Sequence, residues 1–228
     1  QATMALYVDT PRDVGVGEFI QNARGSLLGV VPSLVNSWKR SQCMNDLDWS
    51  AIRAFSSTGE CSNPADMAFL MTLAGHKPVI EYCGGTEIGG AYMTGTLVQT
   101  ALPSTFTTPA LGLDVVILGE TGQPSTQGEA FIVGPSIGLS TGLLNRDHHS
   151  VYFADTPRYG IPRILLRRHG DRIEQFSTAG NRYYRAQGRM DDTMNLGGIK
   201  VSAAEIERII RRCCTNRSYE WGKVHGKF

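Results

Sequence analysis

Three short apolar runs in the first ninety residues, each ended by a proline or glycine break, set the main constraint on how this chain can fold. Residues 27–31 (LLGVV), 51–57 (AIRAFSS) and 78–82 (PVIEY) read as buried strands, and helix-forming segments lie between them. The stretch GVGEFIQNARG reads as a short amphipathic helix with Phe19, Ile20 and Ala23 apolar and Gly25 as its stop. Ser33 is the expected cap of a second helix carrying Leu34, Val35 and Trp38. Asn63-Pro64 opens a third, in which Met67, Leu70, Met71 and Ala74 mark one face up to Gly75. This alternation predicts an α/β fold with a mostly parallel sheet, and such sheets place ligands in the loops at their strand ends.

Beyond residue 106 the texture changes. Residues 113–118, 129–133, 151–153 and 181–186 read as short strands separated by the turn clusters ETGQP, GPSIG and TPRYG. A small antiparallel β subdomain is expected there. After Gly188-Arg189, a turn and an extended GGIKV lead to a helix beginning at Ser202, with Glu205 completing a capping box and Ala203, Ile206 and Ile210 on one face. The organisation expected is an α/β part over 1–105, a β subdomain over 106–189, and a hinge opening a small α+β unit over 190–228.

Composition narrows the class. Hydrophobic residues make up 41% of 228, enough for a real core. No run approaches the ~18 apolar residues of a membrane span. Five cysteines form no CxxC pair, which argues for a reduced, intracellular setting over a disulfide framework or zinc site. The opening residues lack the layout of a signal peptide, so secretion is not expected. The formal charge of +1 conceals an asymmetry: residues 1–157 hold seven Lys+Arg against fourteen Asp+Glu, and residues 158–228 hold fifteen against seven. Aromatics are not interleaved through the basic part, so an anionic small ligand is expected and nucleic acid is not.

Four stretches carry chemistry. CGGTEIGG (83–90) combines a strand end and close-approaching glycines with Thr86, a donor for phosphate oxygen, and Glu87, a hard carboxylate suited to Mg²⁺. By itself it is also an ordinary turn. In HGD (169–171), Asp171 is either a turn residue between strands or a chelator of ribose hydroxyls. GRMDDTMNLGGIKVSAAEIE (188–207) offers the Arg189 fork, Asp191 and Asp192, the tight Gly197-Gly198 turn and the mobile cation Lys200; a solvated β-hairpin entering a helix fits it too. STGE (57–60) closes the second strand. The adjacent His148 and His149 lack a third ligand at useful spacing and read as surface residues, and Cys213-Cys214 as incidental.

In this order, these stretches resemble the adenylate-forming superfamily of acyl- and aryl-CoA synthetases, and within its acetyl-CoA-synthetase-like branch the plant peroxisomal acyl-activating enzymes of the 17/18 type. STGE is similar to the adenine-contacting loop, CGGTE to the aromatic-Gly-x-Thr-Glu motif, HGD to the ribose-binding Gly-Asp, and residues 188–207 to the hinge signature. The resemblance spans residues 1 to about 210. It implies ATP, Mg²⁺ and coenzyme A as cofactors and a carboxylate substrate. A carboxylate attacks the α-phosphate of ATP, and a thiol then displaces AMP from the acyl-AMP. It further implies that Thr86 holds the α-phosphate and Glu87 the Mg²⁺. Gly59 and Glu60 would flank the adenine, Tyr82, Gly84 and Gly85 would also bind the cofactor, and Asp171 would bind the ribose. Arg189 would reach ribose or phosphate, Asp191 would be the hinge, Lys200 would lie near phosphate, and Gly197-Gly198 would line the thiol path.

Departures from the pattern qualify this. The adenine-stacking aromatic is replaced by Cys83, with Tyr82 one place earlier, and Gly84 stands where acetate-restricted relatives carry tryptophan, implying a roomier acyl pocket. The family's phosphate loop is expected upstream of residue 1, and its C-terminal lysine is not identifiable in the divergent tail. The expectation is therefore a fragment of an AMP-forming ligase, inactive without the missing portions of its parent chain; the alternative is a catalytically inactive nucleotide- or partner-binding remnant. A peroxisomal location rests on family likeness, with the cytoplasm as the alternative, because HGKF is not a Ser-Lys-Leu-type address.

Overall fold

The computed structural model describes residues 2–160, 164–190, 193–196, 199–203, 206–207 and 209–210. Its first half alternates as the apolar runs predict. Helix α1 (Val14–Asn22) is capped by the Asp13 carboxylate, which accepts from the Gly15 amide. Strand β1 (Leu27–Val30) leads into α2 (Pro32–Ser41), β2 (Ala54–Ser57) into α3 (Pro64–Leu73), and β3 (Val79–Gly85) into a single 3-10 turn at Thr86–Ile88. β1, β2 and β3 pair in parallel. The sheet then changes direction: β4 (Gly90–Thr94) and β5 (Thr108–Pro109) add antiparallel, giving the order β1-β2-β3-β4-β5.

Both helices that flank β2 begin with proline, whose missing N–H costs nothing in the first turn. Asn63 caps α3 through the Ala65 amide, as its sequence indicates. Ser33 does not cap α2: Val31 occupies that position with no side-chain bond, and Pro32 starts the helix. The Ser33 hydroxyl and amide instead hold the Glu60 carboxylate at 2.8 and 3.0 Å, a favourable place for an anion because the first-turn amides are unpaired. Behind the sheet, Val35, Trp38, Met44, Ile52, Phe55, Met67 and Leu70 form a fully buried core. Within it the buried Asp66 carboxylate of α3 accepts from Lys39 at 3.0 Å and Asn36 at 2.9 Å, both on α2.

The second half is antiparallel. β6 (Asp114–Leu118), β7 (Gln127–Val133), β10 (Arg167–Thr178) and β11 (Asn181–Arg189) form a sheet of order β11-β10-β7-β6. Helix α4 (His148–Tyr152) and the short pair β8 (Arg158–Tyr159) and β9 (Ile164–Leu165) lie between β7 and β10 in sequence. β12 (Thr193–Leu196) and β13 (Ile199–Ser202) form a separate hairpin. Two expectations change here. Residues 151–153, read as a strand, instead complete and cap α4, whose first turn is fixed by the Asp147 carboxylate on the Ser150 amide. HGD is not a turn between strands but the body of the longest one, β10, where bulges on both sides of the motif break the register with β7 and β11. Ser202 closes β13, so the following helical residues begin at Ala203; Glu205 lies outside the described residues.

The α2–α3 tie gives a direct test. Asp66→Ala leaves Lys39 and Asn36 without their shared acceptor and should lower stability by about 1–3 kcal/mol, read as a lower urea midpoint at unchanged slope. Asp66→Asn, which keeps one carbonyl acceptor, should lose less.

Candidate adenylate site

Four strands converge on one carboxylate. Asp171 sits on β10, 8% exposed. Its Oδ2 accepts from the Tyr92 hydroxyl of β4 at 2.7 Å and from the Cys83 thiol of β3 at 3.2 Å. His169 Nε2 lies 3.4 Å from the same oxygen, and Arg189 of β11 lies 3.7 Å from Oδ1. His169 and Asp171 are two residues apart on one strand and so share a face. Between them Gly170 has φ +91°, and a Cβ there would stand 2.9 Å from the Arg189 guanidinium. That guanidinium also donates to the His169 carbonyl at 3.2 Å, and the positive φ at Gly170 is one that other residues rarely adopt.

The other ring nitrogen of His169 joins the site to the turn after β3: Nδ1 lies 2.9 Å from Glu87 Oε1. The turn is anchored from below by Arg167, 2% exposed, whose guanidinium donates to the Glu87 carbonyl at 3.1 Å and to the Ser140 hydroxyl at 2.8 Å. It also stacks 4.2 Å over the Tyr152 ring of α4. The 57–60 loop lies at the end of β2, where Gly59 takes φ +90° and Glu60 is held by Ser33. The next residue, Cys61, donates to the Ala186 carbonyl of β11 at 3.1 Å, drawing that loop against the β10–β11 edge.

Burial shapes the ionisations. The Cys83 thiol is pushed well up, first by desolvation and then by the Asp171 charge, so it is a donor. Tyr92 rises for the same first reason. Glu81 of β3, 3% exposed, is pushed up to about 7 by desolvation, with the Ser62 and Ser57 hydroxyls opposing.

Of the residues expected from sequence, the structure brings Glu87, Asp171 and Arg189 together through His169. Thr86 is exposed at the start of the turn, Tyr82 is half-buried on β3, and Gly85 underlies the Glu87 carboxylate. Gly84 has a different reason for being glycine: a Cβ would fall 1.9 Å from the Gly90 carbonyl of β4, so strand contact, rather than pocket room, requires it. Lys200 lies on β13 in register with Asn195. Asp191, Gly197 and Gly198 lie outside the described residues. His169, Tyr92 and Arg167 were not foreseen. The histidine stood beside Asp171 in the motif, but nothing local marks Tyr92 as its partner 79 residues away.

The hexanoyl-CoA synthase of Cannabis sativa is 47% identical over 213 residues, covering 91% of this chain and 29% of that protein. The probable peroxisomal acyl-activating enzyme 18 of Arabidopsis thaliana is 46% identical over 214 residues, with the same coverage of 91% and 29%. This chain is a homologue of the plant acyl-activating enzymes. A solved anthranilate CoA ligase in complex with anthranoyl-AMP superposes with a TM-score of 0.70 at 20% identity, covering 89% of this chain and 37% of that one. The chain therefore shares the fold of the matching part of that ligase. No protein-family model matches the chain. The chain spans 29% of the length of the plant homologues.

Glu81 provides a pH test. With a folded-state value of about 7 against 4.5 when unfolded, the stability tied to its protonated form is complete below about pH 4.5 and is lost as pH rises to about 7. The loss should be about 3 kcal/mol, since each pKa unit corresponds to about 1.4 kcal/mol. Glu81→Gln should flatten urea-measured stability across that window and raise it at pH 8; an unchanged profile would count against a buried, perturbed carboxyl.

Proposed function

We propose that this chain is part of an ATP-dependent, AMP-forming acyl-CoA ligase, and that it supplies the ribose-binding and metal-binding side of the adenylation site. The observation that carries the reading is the asymmetry of Asp171. Its Oδ2 is engaged by Tyr92, Cys83 and His169, whereas Oδ1 faces the half-exposed Arg189. Oδ1 is thus the oxygen placed to accept from vicinal ribose hydroxyls, with the guanidinium fork beside it for ribose or phosphate oxygens.

The donor chemistry around the turn also suits the nucleotide. Thr86, exposed at the start of the turn, presents its hydroxyl to the α-phosphate. Glu87 offers one hard carboxylate, which fits Mg²⁺ because that ion takes one or two carboxylates and completes its shell with phosphate and water. When bound, Mg²⁺ would neutralise charge on the phosphates. The chain's own contribution is to position: Arg167 fixes the turn, His169 orients the Glu87 carboxylate, and Ser33 holds Glu60 at the adenine side. Thr86 and Arg189 stabilise charge at the phosphorus while a carboxylate displaces pyrophosphate. A thiol, that of coenzyme A, then takes the acyl group and releases AMP.

In the same reading, residues 1–105 and 106–189 belong to the large domain and residues 190–228 begin the small one. Asp191 is its hinge, Lys200 faces phosphate and Gly197-Gly198 line the thiol path. The remaining catalytic parts belong to further sequence of the parent protein, a reading that the partial coverage of the plant homologues supports. The Arabidopsis homologue's name favours a peroxisomal setting. No helix among the described residues is long and apolar enough to cross a membrane.

Calorimetric titration with AMP tests the ribose role. Asp171→Asn should weaken AMP binding tenfold or more, equivalent to about 1.4 kcal/mol. The 2′,3′-dideoxy analogue should bind the parent chain weakly and be indifferent to the substitution. Equal losses for both ligands would place Asp171 away from the ribose.

A further inference from the structure

The Asp171 cluster contains an arrangement that nucleotide binding does not explain. His169 stands between two carboxylates, with Nδ1 2.9 Å from Glu87 Oε1 and Nε2 3.4 Å from Asp171 Oδ2. The second separation is long for a hydrogen bond. The Cys83 sulfur stands 3.2 Å from the same oxygen, and the three donor atoms lie within 4.8 Å of one another.

Two of these separations bear comparison with the edges of a coordination polyhedron. Zinc bond lengths of about 2.3 Å to sulfur and about 2.0–2.1 Å to nitrogen and oxygen give tetrahedral edges of roughly 3.3–3.5 Å. The N–O edge matches and the S–O edge is slightly short. One thiolate, one imidazole and one carboxylate favour a borderline divalent ion such as Zn²⁺ or Co²⁺ over Mg²⁺. The surroundings supply what such a ligand set needs: Glu87 orients the His169 ring, and Tyr92 holds Asp171 through a hydrogen bond that leaves the carboxylate oxygen a second lone pair.

We propose that Cys83, His169 and Asp171 form a binding site for a borderline divalent transition-metal ion, with the fourth position left to solvent. Loading requires loss of the Cys83 proton, which passes to solvent as the metal–sulfur bond forms, so affinity rises with pH. Because the ion would occupy the carboxylate that the proposed function assigns to ribose, bound metal and bound nucleotide exclude one another; this second part rests on that reading.

The probe is Co²⁺ alone, added to the full chain with a phosphine reductant. The expected result is tetrahedral visible bands with a thiolate-to-cobalt charge-transfer band in the near ultraviolet. Cys83→Ser should abolish the charge-transfer band, while Cys43→Ser and Cys61→Ser should keep it. His169→Ala should weaken binding at least tenfold, and Glu87→Gln should weaken it by about ten- to a hundredfold through loss of ring orientation. Zn²⁺ should raise the unfolding temperature of the parent chain and not that of Cys83→Ser, whose metal-free unfolding serves as the folding control. A charge-transfer band that survives Cys83→Ser, or a Co²⁺ dissociation constant above about 1 mM, overturns the site. If the site holds, AMP should bleach the cobalt bands; bands unmoved by AMP, in a chain that binds AMP calorimetrically, overturn the exclusion alone.

Discussion

A carboxylate taken out of water must find donors, and the buried Asp171 finds them on three other strands. Its neighbours arrive from β3 (Cys83), β4 (Tyr92) and β11 (Arg189), besides His169 on its own β10. Those strands belong to two different sheets, the mixed five-stranded sheet and the antiparallel four-stranded one. The polar cluster is therefore also the seam: what satisfies the charge joins the sheets. A cluster of this kind specifies one arrangement, because any slip of β10 by a residue would turn both His169 and Asp171 to the opposite face.

The same economy applies to Arg167 on the other side of the turn. A guanidinium that is 2% exposed makes its bonds to the Glu87 carbonyl and to Ser140, and packs on the Tyr152 ring. It thereby fixes a short 3-10 turn that has little to hold it locally. Glu87 is thus positioned twice, its backbone by Arg167 and its carboxylate by His169. Both positioning residues come from β10, so the strand carrying the carboxylate proposed for the ribose also sets the neighbouring carboxylate proposed for the metal.

How far this was legible in the sequence follows from the range of each signal. The three parallel strands and the Asn63-Pro64 cap are local, written in apolar runs and proline positions, and they read directly. Ser33 misled because a serine near a helix start is a good cap in general, yet here Pro32 sets the start and the hydroxyl answers the distant Glu60. Residues 151–153 are aromatic and β-branched, but α4 is decided by Asp147 and by packing on Arg167. HGD looked like a turn because glycine and aspartate favour turns; bulged strand pairing overrode that preference. Asp171, Arg189 and Glu87 came from motif likeness. Their connection through His169 and Tyr92 did not, because contacts spanning 79 and more residues leave no periodicity to read.

Cys83 shows how one replacement changes the demands on a site. An aromatic ring at this position would make no claim on the carboxylate. A thiol is small, and its burial and the nearby Asp171 charge keep it a hydrogen-bond donor directed at Oδ2. Asp171 Oδ2 thus gains a third partner, and it is a sulfur. The result tightens Asp171 at rest. It also assembles soft, borderline and hard donors at one point, which magnesium–nucleotide chemistry does not require. In the proposed reading, nucleotide and ion compete for one carboxylate, and loading of the ion turns on a single proton on sulfur.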